Sequence, residues 1–190
     1  PPWRARLKKI LGLPILLMFA LMAASATVAK SIDDYAEESV SRLSAYLKID
    51  TINPPGNESR GVGYLSKILE SEGIAYEVVE SAPNRGNLWS RLRSAKPSGS
   101  RDALVLLHHI DVVPANRSYW SFDPLSGDVK DGFIYGRGAI DTKGLGIAQM
   151  QAFLALARSG EPLKRDLILM ATADEEAGGF YGAGWLKDNR

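Results

Sequence analysis

Apolar positions recur along this chain in different rhythms, and each rhythm predicts a kind of element. Across residues 31–49, Tyr35, Val40, Leu43, Tyr46 and Leu47 fall near a helical period, and Ser31 with Asp34 can form a capping box, so a helix is expected there. Asn53-Pro54-Pro55-Gly56 then breaks the chain. The helical period returns over residues 60–72 with Tyr64, Leu65, Ile68 and Leu69, and Gly73 is a natural stop. Residues 75–80 and 87–92 alternate like strands. Residues 103–107 and 167–171 are continuously apolar, the pattern of strands buried on both faces. Residues 129–135 fold back at Asp131-Gly132, a hairpin signal. Residues 145–157 read as a helix stopped at Gly160, and 182–187 begin another. Helices alternating with apolar strands predict a layered α/β protein.

The first 30 residues show a different pattern. Arg4, Arg6, Lys8 and Lys9 precede an apolar run over residues 10–24, and Ala24-Ser25-Ala26 supplies small residues after it. That order is the one an export signal uses. The run is shorter than the roughly 20 residues that cross a bilayer as a helix. A cleaved signal is therefore expected, with an uncleaved signal anchor as the alternative, and residues 31–190 form the domain. The first residue is Pro, so a start further upstream is expected. Charge sharpens the division. Lys and Arg number 23 against 22 Asp and Glu, but five of the bases and none of the acids lie in residues 1–30. The body is thus mildly acidic, which argues against a nucleic-acid partner. The absence of cysteine excludes disulfide scaffolds, thiolate metal sites and cysteine nucleophiles.

Three clusters carry candidate chemistry, each just beyond a predicted buried strand or turn, where open α/β sheets place their sites. In Leu107-His108-His109-Ile110-Asp111, residues two apart share a face, so Asp111 can accept the ring N–H of His109. A metal-bound imidazole uses such a carboxylate to fix its tautomer. In Gly136-Arg137-Gly138-Ala139-Ile140-Asp141-Thr142-Lys143-Gly144, glycines surround a single acid that could touch two cations at once. In Thr172-Ala173-Asp174-Glu175-Glu176-Ala177-Gly178-Gly179, consecutive carboxylates come directly after an apolar strand, a costly arrangement without a cation. Adjacent side chains diverge, so one glutamate can bind metal while the other serves as a base. Taken singly, each cluster is equally compatible with a surface histidine pair, a helix-capping turn or an acidic helix start.

Together, and in this order, the three clusters resemble the family of di-zinc peptidases and deacylases that includes acetylornithine deacetylase, succinyl-diaminopimelate desuccinylase, aminoacylase, glutamate carboxypeptidase and carboxypeptidase S. The segment Trp120 to Gly127 is also similar to a structural Trp-x-x-x-Pro-x-x-Gly stretch of that family. The resemblance implies a three-layer α/β/α fold with a mixed, largely parallel sheet, incomplete at the C-terminus. It implies His109, Asp141 and Glu176 as metal ligands, Asp141 bridging two cations and preceding a cis peptide bond to Thr142. Asp111, orienting the imidazole, and Glu175, the general base, are the catalytic pair it implies. The implied cofactor is a pair of Zn²⁺ ions, and the nitrogen and oxygen donors also suit Co²⁺ or Mn²⁺. His108 stands where the family often has Gly or Ala, and is expected to point away from the metal. The implied reaction is hydrolysis of an amide in small peptides or N-acyl amino acids by a metal-activated water. A co-catalytic zinc aminopeptidase and a non-catalytic binding protein on the same fold are the alternatives. The resemblance also implies a further carboxylate, a late histidine and a lid domain downstream, with homodimerisation through that lid. With the leader, it implies an exported protein, periplasmic or secreted, touching membrane only through an uncleaved anchor.

Overall fold

The computed structural model describes residues 30–95 and 103–190. Residues 1–29, which hold nearly all of the expected leader, lie outside the described residues. The first helix, α1 (Ile32–Leu47), starts at the capping box its sequence specifies: the Asp34 N–H donates to Ser31 Oγ at 3.1 Å, and the Ser31 N–H donates to the Asp34 carboxylate at 2.8 Å. After the break, whose Asn53–Pro54 and Pro54–Pro55 bonds are both cis, α2 runs over Glu58–Ser71. Strands β1 (Tyr76–Glu80), β2 (Gly86–Leu92) and β3 (Leu104–His109) come next. A two-stranded ribbon, β4 (Asp128–Lys130) with β5 (Phe133–Tyr135), turns at Asp131 and Gly132, both at positive φ as a tight hairpin requires. Then come α3 (Lys143–Ser159), β6 (Leu167–Thr172) and the short α4 (Ala183–Asn189).

The main sheet has the order β1-β2-β6-β3. The pairs β1–β2 and β2–β6 are antiparallel, whereas β6–β3 is parallel, with Leu169 opposite Leu106 and Thr172 opposite His109. The sheet is mixed as expected, and its parallel part among the described residues is the β6–β3 pair. Strand alternation sends Leu88, Leu167, Leu169 and Ala171 to one face. There they pack with Val62, Leu65 and Leu69 of α2 and with Ile147, Met150, Phe153 and Leu154 of α3 in one continuous buried core. Trp89, Ile168 and Met170 face the opposite way, where Leu186 of α4 lines a cleft beside them. Helices on one side, the sheet, and α4 on the other make the three layers.

One expectation fails on burial. The apolar run of residues 103–107 predicts a strand covered on both faces, yet β3 is an edge strand among the described residues, and Leu104, Val105 and Leu107 are each roughly half exposed. The opposite apolar strand, β6, sits between two partners and has four of its six residues buried. Among the described residues no helix is long and apolar enough to cross a membrane.

Candidate metal centre

The parallel pair β3–β6 delivers the first and third clusters to the same place, because the two strands end in register. His109 closes β3 opposite Thr172, and two residues further each chain leaves the sheet at Asp111 and Asp174. The second cluster arrives from the ribbon, at the loop that opens α3. The peptide between Asp141 and Thr142 is cis. Thr142 Oγ1 donates to the His109 carbonyl at 3.2 Å, tying that loop to the end of β3.

His109 Nε2 lies 3.0 Å from Asp141 Oδ1 and 3.8 Å from Glu175 Oε2. One donor atom from each of His109, Asp141 and Glu176 falls within 4.8 Å of the others. The histidine is buried at the floor, Glu176 is half-buried, and Asp141 and Glu175 stand exposed at the mouth. Such a converging set of one imidazole and carboxylates, with no thiolate, suits a hard or borderline divalent cation. Burial works against a charge on His109, but Asp111 and Asp141 outweigh it and raise its pKa to about 9. Burial raises the Glu176 carboxyl above the usual range, and the neighbouring Asp141, Asp111 and Glu175 charges add to it, against a pull from His109. Carboxylates crowded this way favour a cation among them.

Asp111 is completely buried and does more than face the imidazole. The ring N–H at His109 Nδ1 meets the Asp111 main-chain carbonyl at 2.9 Å, whereas the carboxylate is 3.5 Å away. The carbonyl is therefore the principal acceptor, which differs from the side-chain contact the spacing predicts. The carboxylate is engaged elsewhere: Oδ1 accepts the Glu175 N–H at 3.1 Å, and Oδ2 accepts the Glu176 N–H at 3.1 Å and Asn53 Nδ2 at 2.8 Å. Burial alone would raise its pKa, but His109, Asn53 and the Glu176 N–H hold it below the usual carboxylate range.

His108 points to the other side of β3, as alternation demands. It is buried with its ring edge-on to Tyr46 and against Gly146 of α3, and burial pulls its pKa down to about 4. It is no part of the cluster. Four residues at the site have no role assigned by the motifs. Asn53 sits in a segment that reads only as a chain break. Arg85 and Asp174 form a buried ion pair behind the glutamates. Lys143, fully buried at the start of α3, donates through Nζ to the carbonyls of Tyr46 at 3.2 Å and Ile49 at 2.8 Å, and lies 4.9 Å from the Tyr46 ring centroid. Desolvation lowers its pKa to about 7.

Fold and site together define an α/β domain with a cluster of nitrogen and oxygen donors that could hold a cation at the carboxyl ends of its parallel strands. Residues 105–189 match the model of Peptidase family M20/M25/M40. Aminoacylase-1 of Sus scrofa is 32% identical over 145 residues, which is 76% of this chain and 35% of that protein. Succinyl-diaminopimelate desuccinylase of Methylorubrum populi is 34% identical over 151 residues, 76% of this chain and 37% of that one. The M20 family metallo-carboxypeptidase Sso-CP2 of Sulfolobus solfataricus superposes with a TM-score of 0.65 at 26% identity, covering 75% of this chain and 32% of its own. The chain thus spans little more than a third of the curated relatives it matches.

Proposed function

We propose that this chain is the N-terminal part of the catalytic domain of a metal-dependent hydrolase that cleaves an amide bond in N-acyl amino acids or small peptides. The observation that carries the reading is the convergence of His109, Asp141 and Glu176 donor atoms within 4.8 Å, with Glu175 beside them. The named activities of the relatives, aminoacylase and desuccinylase, support the substrate class. In this reading His109, Asp141 and Glu176 hold Zn²⁺, two ions per site in the complete enzyme, with Co²⁺ or Mn²⁺ compatible with the same donors. The chemistry such ions supply is acidification of a water and polarisation of the scissile carbonyl.

Glu175, exposed at the mouth, takes the proton from the attacking water and returns it to the leaving amine. Asp111 holds the His109 ring through its carbonyl and the two glutamates through its carboxylate. The order of basic and apolar residues at the N-terminus supports export, with retention as a membrane anchor as the other outcome. N-terminal sequencing of the mature protein separates those two.

The two glutamates test the reading in the full-length protein. Glu175→Gln keeps shape and hydrogen bonding but removes the proton acceptor, and should lower kcat by roughly 10²–10⁴ with metal content unchanged. Glu176→Gln should lose metal and regain part of its activity when zinc is raised. If Glu175→Gln loses metal and Glu176→Gln keeps it, the roles are reversed. If neither affects hydrolysis of N-acyl amino acids or dipeptides, the glutamate roles fail, and if the unsubstituted protein hydrolyses none of these substrates, the chain is a binding protein on this fold. Turnover restricted to substrates with a free amine would identify an aminopeptidase.

A further inference from the structure

Behind the paired glutamates lies a buried polar network that contacts neither His109 nor Asp141. Its centre is Arg85, 6% exposed in the turn between β1 and β2. Nη1 donates to the Pro55 carbonyl at 2.8 Å and to Asn53 Oδ1 at 3.2 Å. Nη2 donates to the Asp174 carboxylate and lies 3.4 Å from Glu58 Oε1. The guanidinium also sits 5.2 Å from the Tyr181 ring centroid. One planar fork thus joins the break after α1, the start of α2 and the segment after β6. Room for it is made at Gly56, where φ is +84° and a Cβ would fall 1.5 Å from Arg85 Nη1.

Asp174 is what the fork holds, and Asp174 immediately precedes the glutamates. It is buried and left-handed, with φ of 68°, a conformation that a residue other than Gly keeps only where its surroundings over-determine it. They do so here. Its Oδ2 accepts the Tyr181 N–H at 3.1 Å, its Oδ1 accepts Asn53 Nδ2 at 3.2 Å, and its own N–H donates to Glu58 Oε1 at 3.2 Å. From this fixed point the chain enters the single turn Glu175–Ala177, whose first two N–H groups land on the two oxygens of Asp111. Asn53 Nδ2 bridges the two buried carboxylates, Asp111 and Asp174, while Arg85 braces its oxygen. The direction in which Glu175 and Glu176 leave the sheet is therefore set from two sides, by Asp111 in front and by Arg85 behind.

We propose that Arg85 is a positioning residue for the base and the ligand, acting through Asp174 and Asn53. It rests on the assignment of Glu175 and Glu176 given above. A lysine keeps the charge but offers a single point, and cannot reach the Asn53–Pro55 and Asp174–Glu58 pairs together. With Arg85 gone, Asp174 and Glu58 would share a buried space with no cation, and the left-handed turn would lose its support.

The test uses the full-length protein with Arg85→Lys, held well below its melting temperature. Amide hydrogen exchange of the metal-free protein should accelerate about tenfold or more at residues 175 and 176 and stay unchanged in β6. Zinc binding, measured by chelator competition, should weaken about 10–100-fold, the range for lost outer partners of a metal site. On N-acyl amino acids kcat should fall about 10²-fold, the scale of a small misplacement, while KM stays put. Uniformly faster exchange with unchanged zinc affinity and kcat would make Arg85 purely structural and overturn the proposal. If Arg85→Lys does not fold, Gly56→Ala, which pushes a methyl onto Nη1, carries the same expectation and the same refutation. Should the unsubstituted protein bind no zinc and hydrolyse nothing, the functional reading fails, and hydrogen exchange alone still decides whether Arg85 holds the turn.

Discussion

Replacing Asp111 with Asn removes one charge and no volume, and the hydrogen bonds around the carboxylate set the cost. Three N–H donors converge on the two carboxylate oxygens: Glu175 on Oδ1, Glu176 and Asn53 on Oδ2. An amide offers one oxygen and one NH₂, so a donor faces a donor whichever way it turns. The better orientation keeps the oxygen at the Oδ2 position for two partners and sets the NH₂ against the Glu175 N–H. One unsatisfied donor costs about 1–3 kcal/mol, and the two surviving bonds lose the part of their strength that charge supplied. The sum is roughly 2–4 kcal/mol of folding stability. Urea unfolding of the metal-free full-length protein reads it directly, as a lower midpoint with unchanged slope. The His109 ring should hold its place, because the main-chain carbonyl of residue 111, at 2.9 Å, survives the substitution. A loss under about 1 kcal/mol would refute the reasoning, since it would mean that the three donors find other acceptors at no cost.

Two other substitutions probe the frame around the site. In Gly146→Ala the new methyl would lie 2.4 Å from His108 Cδ2. Overpacking at about 1–3 kcal/mol outweighs the roughly 1 kcal/mol that alanine gains in a helix, so thermal unfolding should show a net loss. In a His108→Ala background the sign should reverse, and the same sign in both backgrounds would show that the ring is not the obstacle. Arg158 ties α1 to α3 through both oxygens of Glu38, at 3.0 Å each, and chiefly by those bonds lowers the Glu38 carboxyl from 4.5 to about 2. A depressed carboxylate stabilises above its unfolded pKa and stops doing so as the pH falls through its folded one. Arg158→Met should therefore cost roughly 1–3 kcal/mol near neutrality, and the gap to the unsubstituted protein should close between pH 4.5 and about 2. A gap that stays constant across that window would count against the linkage.

Much of the fold was legible in the sequence where the cause is local. Ser31 and Asp34 announce the start of α1, Asp131-Gly132 announces the ribbon turn, and period-2 alternation separates His108 from His109. What sequence could not convey is which apolar strand has neighbours. The runs leading to His109 and to Thr172 look alike, yet β6 is central and β3 lies at an edge, a difference fixed only by sheet order. The supporting residues were hidden for a related reason. Asn53 lies in a segment whose prolines explain it fully as a break, and Arg85 is one charged residue in a turn. Neither belongs to a periodic pattern or a motif, because each takes its role from partners far along the chain. Asp111 was legible as a partner of His109, but its hold on the glutamate N–H groups depends on β6 arriving in register.

That distance has a consequence for how the protein assembles. Asn53 meets Asp111 across 58 positions and Asp174 across 121, and Arg85 meets Asp174 across 89. These are high-contact-order closures, whose loop entropy must be overcome before the contacts give anything back. No peptide containing only one of the three clusters holds the others in place, so the centre exists only once the sheet does. Any cation that prefers the completed centre is then linked to global folding, adding about 2.7 kcal/mol when present at a hundredfold excess over its dissociation constant. Chelation should accordingly act as a denaturant without touching the core, and the melting temperature should climb with the logarithm of free metal.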